Sequence, residues 1–308
     1  MEKLLSVADL VNEHYLEVLF TPKALSDIFI EDKNIDRIGM QLMGFYPVHH
    51  PERFHMMGLS EASYLATLDE RSREISIKAF FEAGTKGLII THDAHCDPQI
   101  LEAAAAYNKP VLKTPLSPSE YIHDFYYFTA KYFAPTTIMH GGLVEVNGEG
   151  ILILGDSGIG KSETAIQLVK NGHRLIADDS VEIKRMPEGT LQGSSLPLTH
   201  GFVELRGIGI INVQTIYGTA AVQNKVKITS AIHFVPWKIH ENYERLGLEQ
   251  EYEEILGIRL PLATVPVRPG RNLASIVEVY AINQRAKRDG YNAAEQLNTK
   301  LINQMEHK

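Results

Sequence analysis

Only one cysteine, Cys96, occurs in 308 residues. No internal disulfide can staple the chain, and such usage is that of a reducing compartment. Long apolar runs are lacking too, since none approaches the roughly 18 residues that a membrane-spanning helix requires. The first dozen residues break their apolar positions with Glu2, Lys3 and Asp9, which leaves no hydrophobic core for a signal peptide. The expectation from these absences is a cytoplasmic protein without a membrane partner. Basic charge is also scarce. Lys and Arg total 30 against 38 Asp and Glu, and neither half has the cationic footprint of a nucleic-acid binder. What remains is ordinary globular material, 44% hydrophobic and 22% charged, at a length that divides most simply into two domains of roughly 150 residues.

The acidity is uneven along the chain. Residues 1–130 hold 11 basic and 19 acidic side chains, whereas 131–308 hold 19 of each. This step supports an N-terminal domain over 1–132 and a C-terminal domain over 133–308, joined at Phe133-Ala134-Pro135-Thr136-Thr137. In the first part, Gly87–Thr91 reads as a short buried strand, Asp97-Pro98 opens a helix that runs to Tyr107, and Val111-Leu112 forms a returning strand. Ser117-Pro118-Ser119-Glu120 opens a further helix. The order is βαβ-like, so the N-terminal domain is expected to be α/β, with a regulatory or assembly role. Between strand and helix, His92, Asp93, His95, Cys96 and Asp97 offer metal-ligand chemistry. Their spacing fits no closed zinc template, and the stretch reads as a polar loop capped by Asp97. His49-His50-Pro51 reads as a turn.

The second part begins with two apolar runs, Leu143-Val144-Glu145-Val146 and Ile151–Leu154, separated by Asn147-Gly148. Asn-Gly between such runs signals a hairpin, because both turn positions take positive φ at low cost. The second strand therefore lies antiparallel to the first. Directly after it, Gly155-Asp156-Ser157-Gly158-Ile159-Gly160-Lys161-Ser162 fits the Walker A pattern G-x-x-x-x-G-K-[ST] and leads into a helix through Ala165, Leu168 and Val169. In this P-loop the glycines allow the tight curl, backbone N–H groups face phosphates, Lys161 neutralises them and Ser162 can ligate magnesium. Nucleotide binding is the firmest inference from spacing.

Beyond the helix, Arg174-Leu175-Ile176-Ala177 reads as a strand that ends in Asp178-Asp179. Neighbouring strand side chains point to opposite faces, so the pair is expected to divide two tasks, one of them magnesium. Glu204, between Val203 and Leu205, would be a costly buried carboxylate without a cation. No N-K-x-D element is present, which disfavours a GTPase.

Together Gly155–Ser162, Asp178-Asp179, the stretch Val203–Asn212 and Pro266-Val267-Arg268-Pro269-Gly270-Arg271-Asn272 resemble HPr kinase/phosphorylase over the full length. The resemblance implies a bifunctional enzyme of carbon catabolite repression in the phosphotransferase system. Such an enzyme phosphorylates a regulatory serine of the phosphocarrier HPr with ATP, or pyrophosphate, and removes it by phosphorolysis to pyrophosphate. It also implies a P-loop kinase domain with a mixed sheet, similar to the nucleotide core of phosphoenolpyruvate carboxykinase, in a homohexamer. By this resemblance Lys161 contacts the β- and γ-phosphates. Ser162 and Glu204 hold Mg2+, to which the acid pair's position adds Asp178, and Asp179 is the implied base toward the serine. His140 and Arg245 match the remaining active-site positions, and Arg268 and Arg271 a stretch associated with dephosphorylation. Two other classes share the P-loop: a small-molecule kinase of carboxykinase type and a non-catalytic ATP-sensing regulator. Leu297, Leu301, Ile302 and Met305 fall at helical spacing near the end, an apolar stripe that needs a packing partner.

Overall fold

The computed structural model describes residues 5–238 and 249–306. The chain divides into two compact units, Met1–Phe133 and Ala134–Lys308, and both are mixed α/β. No helix among the described residues is long and apolar enough to cross a membrane.

In the first unit, strands Ile35–Arg37, Phe54–Met57, Gly87–Ile90 and Val111–Lys113 run parallel in that spatial order, and Glu17–Phe20 adds antiparallel to the last. Parallel neighbours require crossovers, and helices cover both faces. Phe54, Met56, Ile89 and Leu112 pack with Leu10, Tyr121 and Phe125 on one face. Met57, Leu88, Ile90 and Val111 pack with Leu65, Phe80, Phe81 and Ala103 on the other. Local signals fix the helix starts. Asp97 accepts from the Gln99 N–H at the head of Pro98–Ala106, and Ser117 with Glu120 forms a reciprocal capping box at the head of Pro118–Tyr132.

The loop 91–97 connects Gly87–Ile90 to that first helix. Asp97 also pairs with Arg73 at 3.1 Å, and burial pushes the Cys96 thiol up to about 11. His49 and His50 do more than turn the chain. His49 stacks on the fully buried His55 with ring centroids 4.9 Å apart, while His50 pairs with Asp36 at 2.9 Å. His55 Nδ1 meets Thr85 Oγ1 at 2.8 Å.

Among the described residues, the second unit is built on a nine-stranded mixed sheet. Its main order is Arg174–Ala177, Gly142–Val146, Glu149–Gly155, Lys225–Pro236, Leu191–Ser195, Ser180–Arg185, Thr136–His140. The long strand Lys225–Pro236 also pairs, through its second half, with Ile258–Val267, which carries Glu251–Ile255 on its far side. The P-loop strand Glu149–Gly155 is antiparallel to Gly142–Val146 and parallel to Lys225–Pro236. Asn147 and Gly148 both take positive φ in the connecting turn, at 53° and 87°, as the Asn-Gly signal requires.

One ladder serves both ends of this sheet. Segment 136–146 pairs antiparallel with segment 174–185, but the pairing is interrupted at Gly141 on one side and Asp178-Asp179 on the other. The ribbon bends there. Gly141 is required at the bend, since a Cβ would lie 2.7 Å from the Ile153 carbonyl oxygen. On one sheet face, helices Lys161–Lys170 and Leu273–Arg288 bury Val144, Ile151, Ile153, Leu168, Phe234 and Val277. Leu143, Leu152, Ile176, Val181, Ile183 and Leu191 form a second core. The last helix, Ala293–Glu306, leaves Leu297 and Ile302 exposed.

His55 makes the first unit acid-sensitive. Burial, reinforced by His49 beside it, lowers its pKa from 6.5 to about 4. Between those values the unfolded chain binds a proton that the folded chain refuses, so stability falls as pH drops through this window, by roughly 3 kcal/mol in all. Denaturant unfolding followed from pH 7 to pH 4 should show that slope, and His55→Gln should flatten it. An unchanged slope in the variant would assign the acid sensitivity to other groups.

Candidate active site

Strand direction lines the chemistry up along one edge of the sheet. Arg174–Ala177 and Glu149–Gly155 are each antiparallel to the strand between them, so both end at the same edge. Asp178 and Asp179 follow the first, and the P-loop follows the second. Gly142–Val146 starts at this edge, immediately after His140 and Gly141. The ends of the parallel neighbours Lys225–Pro236 and Ile258–Val267 continue the row beyond the P-loop. Carboxyl ends of parallel strands are where such sheets bind ligands.

A pocket at this edge is lined by His140, Ser157, Gly158, Gly160, Lys161, Ser162, Glu163, Asp178, Asp179, Glu204 and Arg206. The P-loop delivers its residues through a curl that includes positive φ at Gly158 and Gly160 and ends as the N-terminus of Lys161–Lys170. That helix end presents N–H groups and a positive dipole to an anion. A side chain at Gly158 would collide with the Arg206 guanidinium, at 2.7 Å, so two cations, Lys161 and Arg206, flank the space.

Lys161 is buried and donates from Nζ to the Gly155 and Asp156 carbonyls at 2.8 and 3.0 Å. Its Nζ also lies 3.2 Å from His140 Nε2. An ammonium can only donate, so Nε2 is the acceptor and the imidazole proton is assigned to Nδ1. That N–H faces Asp179, 3.0 Å from its carbonyl oxygen and 3.2 Å from Oδ1. Register makes this possible, because His140 pairs with Ser180 in the ladder and the Gly141 N–H donates to the same Asp179 carbonyl at 3.1 Å. A hydrogen-bonded path thus runs from Lys161 through His140 to Asp179.

The two acids face different surroundings, though not by strand alternation. The strand stops at Ala177, and Asp179 takes a left-handed φ of 65°. Asp178 is turned inward at 5% exposure, whereas the Asp179 side chain is 74% exposed. Ser162 Oγ donates to both Asp178 oxygens, at 3.0 and 2.8 Å. Burial is the largest influence on Asp178 and raises its pKa; the Ser162 hydroxyl opposes the rise and the Asp179 charge adds to it. Ser162 and Asp178 are hard oxygen donors of the kind Mg2+ takes beside substrate phosphates.

Glu204 lines the pocket, but as an exposed carboxylate and not the buried one expected. In Phe202–Leu205 the buried side chain is Val203, and Glu204 points outward, so no buried carboxylate needs a cation. Its backbone nevertheless hydrogen-bonds to Asp178. Arg206 and Glu163 were not expected in the pocket. A period-two reading from Val203 would have placed Arg206 beside Glu204. Arg245 lies outside the described residues. Arg268 and Arg271 line a separate, open pocket with Trp237, Pro269, Gly270 and Asn272.

The raised pKa of Asp178 means that the folded chain holds its proton more tightly than the unfolded chain does. Stability is therefore lost as pH rises through the folded pKa, and at neutral pH the buried charge is a cost. Asp178→Asn should keep or raise the melting temperature while lowering activity. A lower melting temperature would show that the charge holds the fold together.

Two family models match: "HPr Serine kinase N terminus" over residues 5–128 and "HPr Serine kinase C-terminal domain" over residues 131–301. The chain is 42% identical over 305 residues to the HPr kinase/phosphorylase of Caldanaerobacter subterraneus subsp. tengcongensis, covering 99% of both chains. It is 39% identical over 298 residues to that of Bacillus cytotoxicus, covering 97% of this chain and 96% of the relative. A solved structure of the Hpr(Ser) kinase/phosphatase from Coxiella burnetii matches with 33% identity and a TM-score of 0.47, over 52% of this chain and 98% of the other. With both halves matched and full-length relatives at this identity, the chain belongs to the HPr kinase/phosphorylase family of enzymes.

Proposed function

We propose that the enzyme phosphorylates a regulatory serine of HPr with ATP or pyrophosphate, and removes that phosphate by phosphorolysis to pyrophosphate, in cytoplasmic carbon catabolite repression. The observation that carries this reading is the juxtaposition of the Lys161 phosphate loop with the exposed Asp179 carboxylate, bridged by His140. A small-molecule kinase would share the loop, but full-length relatives at about 40% identity bear the HPr kinase/phosphorylase name. The antiparallel entry of the P-loop strand supports the likeness to the carboxykinase nucleotide core.

Phosphoryl transfer needs an activated hydroxyl, neutralised phosphates and in-line geometry. Lys161 and the helix N-terminus hold the β- and γ-phosphates. Bound Mg2+, held by Ser162, Asp178 and Glu204, would supply further neutralisation of phosphate charge. The substrate serine approaches from the side of Asp179, whose exposure leaves it open to a protein. In the forward direction the serine oxygen bonds to the γ-phosphorus, its proton passes to Asp179, and ADP leaves. In phosphorolysis an oxygen of inorganic phosphate bonds to the phosphoserine phosphorus as the bond from phosphorus to the serine oxygen breaks, protonated Asp179 gives that departing oxygen its proton, and pyrophosphate is the product. His140 positions Asp179 through its Nδ1 proton. Arg245 joins the proposed site on the sequence resemblance alone. Arg268 and Arg271, on a stiff Pro-Gly turn, offset the repulsion between phosphate and phosphoserine. The exposed Leu297 and Ile302 support association, and a homohexamer is the assembly proposed.

Incubation with ATP, Mg2+ and purified HPr tests the reading directly, and phosphoserine on HPr is the expected product. Lys161→Ala should reduce its formation more than about a hundredfold with the fold intact. Binding of ATP without transfer, or turnover of a metabolite instead, would contradict it.

A further inference from the structure

The row of strand ends continues past the P-loop to Trp237, to which the transfer above gives no task, and to Arg268, to which it gives one only in phosphorolysis. Lys225–Pro236 is the parallel neighbour of the P-loop strand, with Phe234 opposite Gly155, and ends at Trp237. Ile258–Val267 is the next parallel strand, with Val267 opposite Pro236, and ends at Arg268. Trp237 and Arg268 therefore stand about one and two strand spacings from the P-loop strand, roughly 5 and 10 Å along the same edge. They are on the opposite flank from Asp178 and Asp179.

These residues line one open pocket. The Arg268 guanidinium carbon lies 5.0 Å from the centre of the Trp237 ring, within cation–π range. The Trp237 N–H of the backbone donates to the Val267 carbonyl at 3.1 Å, which ties the two strand ends together. Arg271 Nη1 donates to the Pro266 carbonyl at 2.6 Å and so closes the turn. Trp237 is the chain's single tryptophan, and it is 42% exposed. The turn is also coupled to the phosphate loop. Leu273, which follows Asn272, lies 3.5 Å from the position a Cβ would take on Gly160.

The geometry points to the Trp237–Arg268 pocket as the nucleobase site for the ATP donor, an assignment that rests on the kinase reading above. In-line transfer puts the leaving group opposite the nucleophile. The serine enters on the Asp179 flank, so ADP extends away from it, along the edge toward Trp237 and Arg268. Phosphates are already served by Lys161, Arg206 and the helix N-terminus. An indole and a guanidinium plane offer what those groups do not, namely stacking surfaces for a planar heterocycle. The same Arg268 can present its N–H edge to an anion in phosphorolysis, because that direction runs without a nucleotide and leaves its face uncovered.

Binding of MgATP and of magnesium tripolyphosphate, which lacks the base, separates this site from the phosphate loop and requires no HPr. Trp237→Ala should weaken ATP binding roughly tenfold, the scale of base–aromatic stacking. Its tripolyphosphate affinity should be unchanged, which also reports an intact fold, and Trp237→Phe should restore most of the ATP affinity. ATP affinity within twofold of wild type in Trp237→Ala, or equal weakening of both ligands, would overturn the assignment. If the wild-type enzyme binds ATP no better than tripolyphosphate, no base site exists; if it binds neither, the kinase reading falls with it.

Discussion

The bend in one antiparallel ribbon is the constraint on which the second unit and its candidate site depend. Segments 136–146 and 174–185 pair along most of their length, and the interruption at Gly141 and Asp178-Asp179 lets the ribbon contribute to both ends of one sheet. On the 142–146 and 174–177 side of the bend the side chains alternate between two cores, with Val144 and Leu175 against the P-loop helix and Leu143 and Ile176 in the second core, which Val181 and Ile183 continue beyond the bend. Since a side chain at Gly141 would meet the Ile153 carbonyl, the bend is pressed against the strand that delivers the phosphate loop. The acids and the loop are therefore held in place by the same packing.

The bend also sorts charge. A left-handed Asp179 breaks strand alternation and leaves one carboxylate buried on the Ser162 hydroxyl and its neighbour open to solvent. The buried one bears the desolvation cost, and the exposed one lies 3.2 Å from the Nδ1 of an imidazole whose other ring nitrogen meets the loop lysine. Burying Asp178 opposes stability, and that is the usual condition of a group kept for its chemistry. Phosphate binding and proton transfer can then share one site while being carried by different groups.

Features written in adjacent residues were legible from the sequence. The P-loop, the Asn147-Gly148 hairpin and the caps at Asp97 and Ser117 each declare themselves within a few positions, because their physics is local turn and helix-end chemistry. The ribbon was not legible, since pairing His140 with Ser180 is a long-range register and nothing in either segment names the other. Glu204 was reached by reasoning that strand alternation reverses: its apolar neighbours are the inward ones by period two, and Glu204 faces the pocket from outside. Arg206 lies in the same stretch, yet its place over Gly158 depends on how the Phe202–Leu205 and Gly209–Asn212 hairpin folds back. Trp237 carries no motif, and only the parallel pairing of three strands brings it beside Arg268.

The central claim is that the bend assigns adjacent carboxylates to separate tasks, with Asp179 taking the serine proton and no part in holding the nucleotide. Single-turnover phosphoryl transfer from ATP to HPr by Asp179→Asn, with ATP affinity measured on the same preparation, tests it most directly. The account predicts that transfer slows about a hundredfold or more, the scale of general-base catalysis, while ATP affinity stays at the wild-type value. Undiminished transfer, or a loss of ATP affinity that matches the loss of rate, would contradict it.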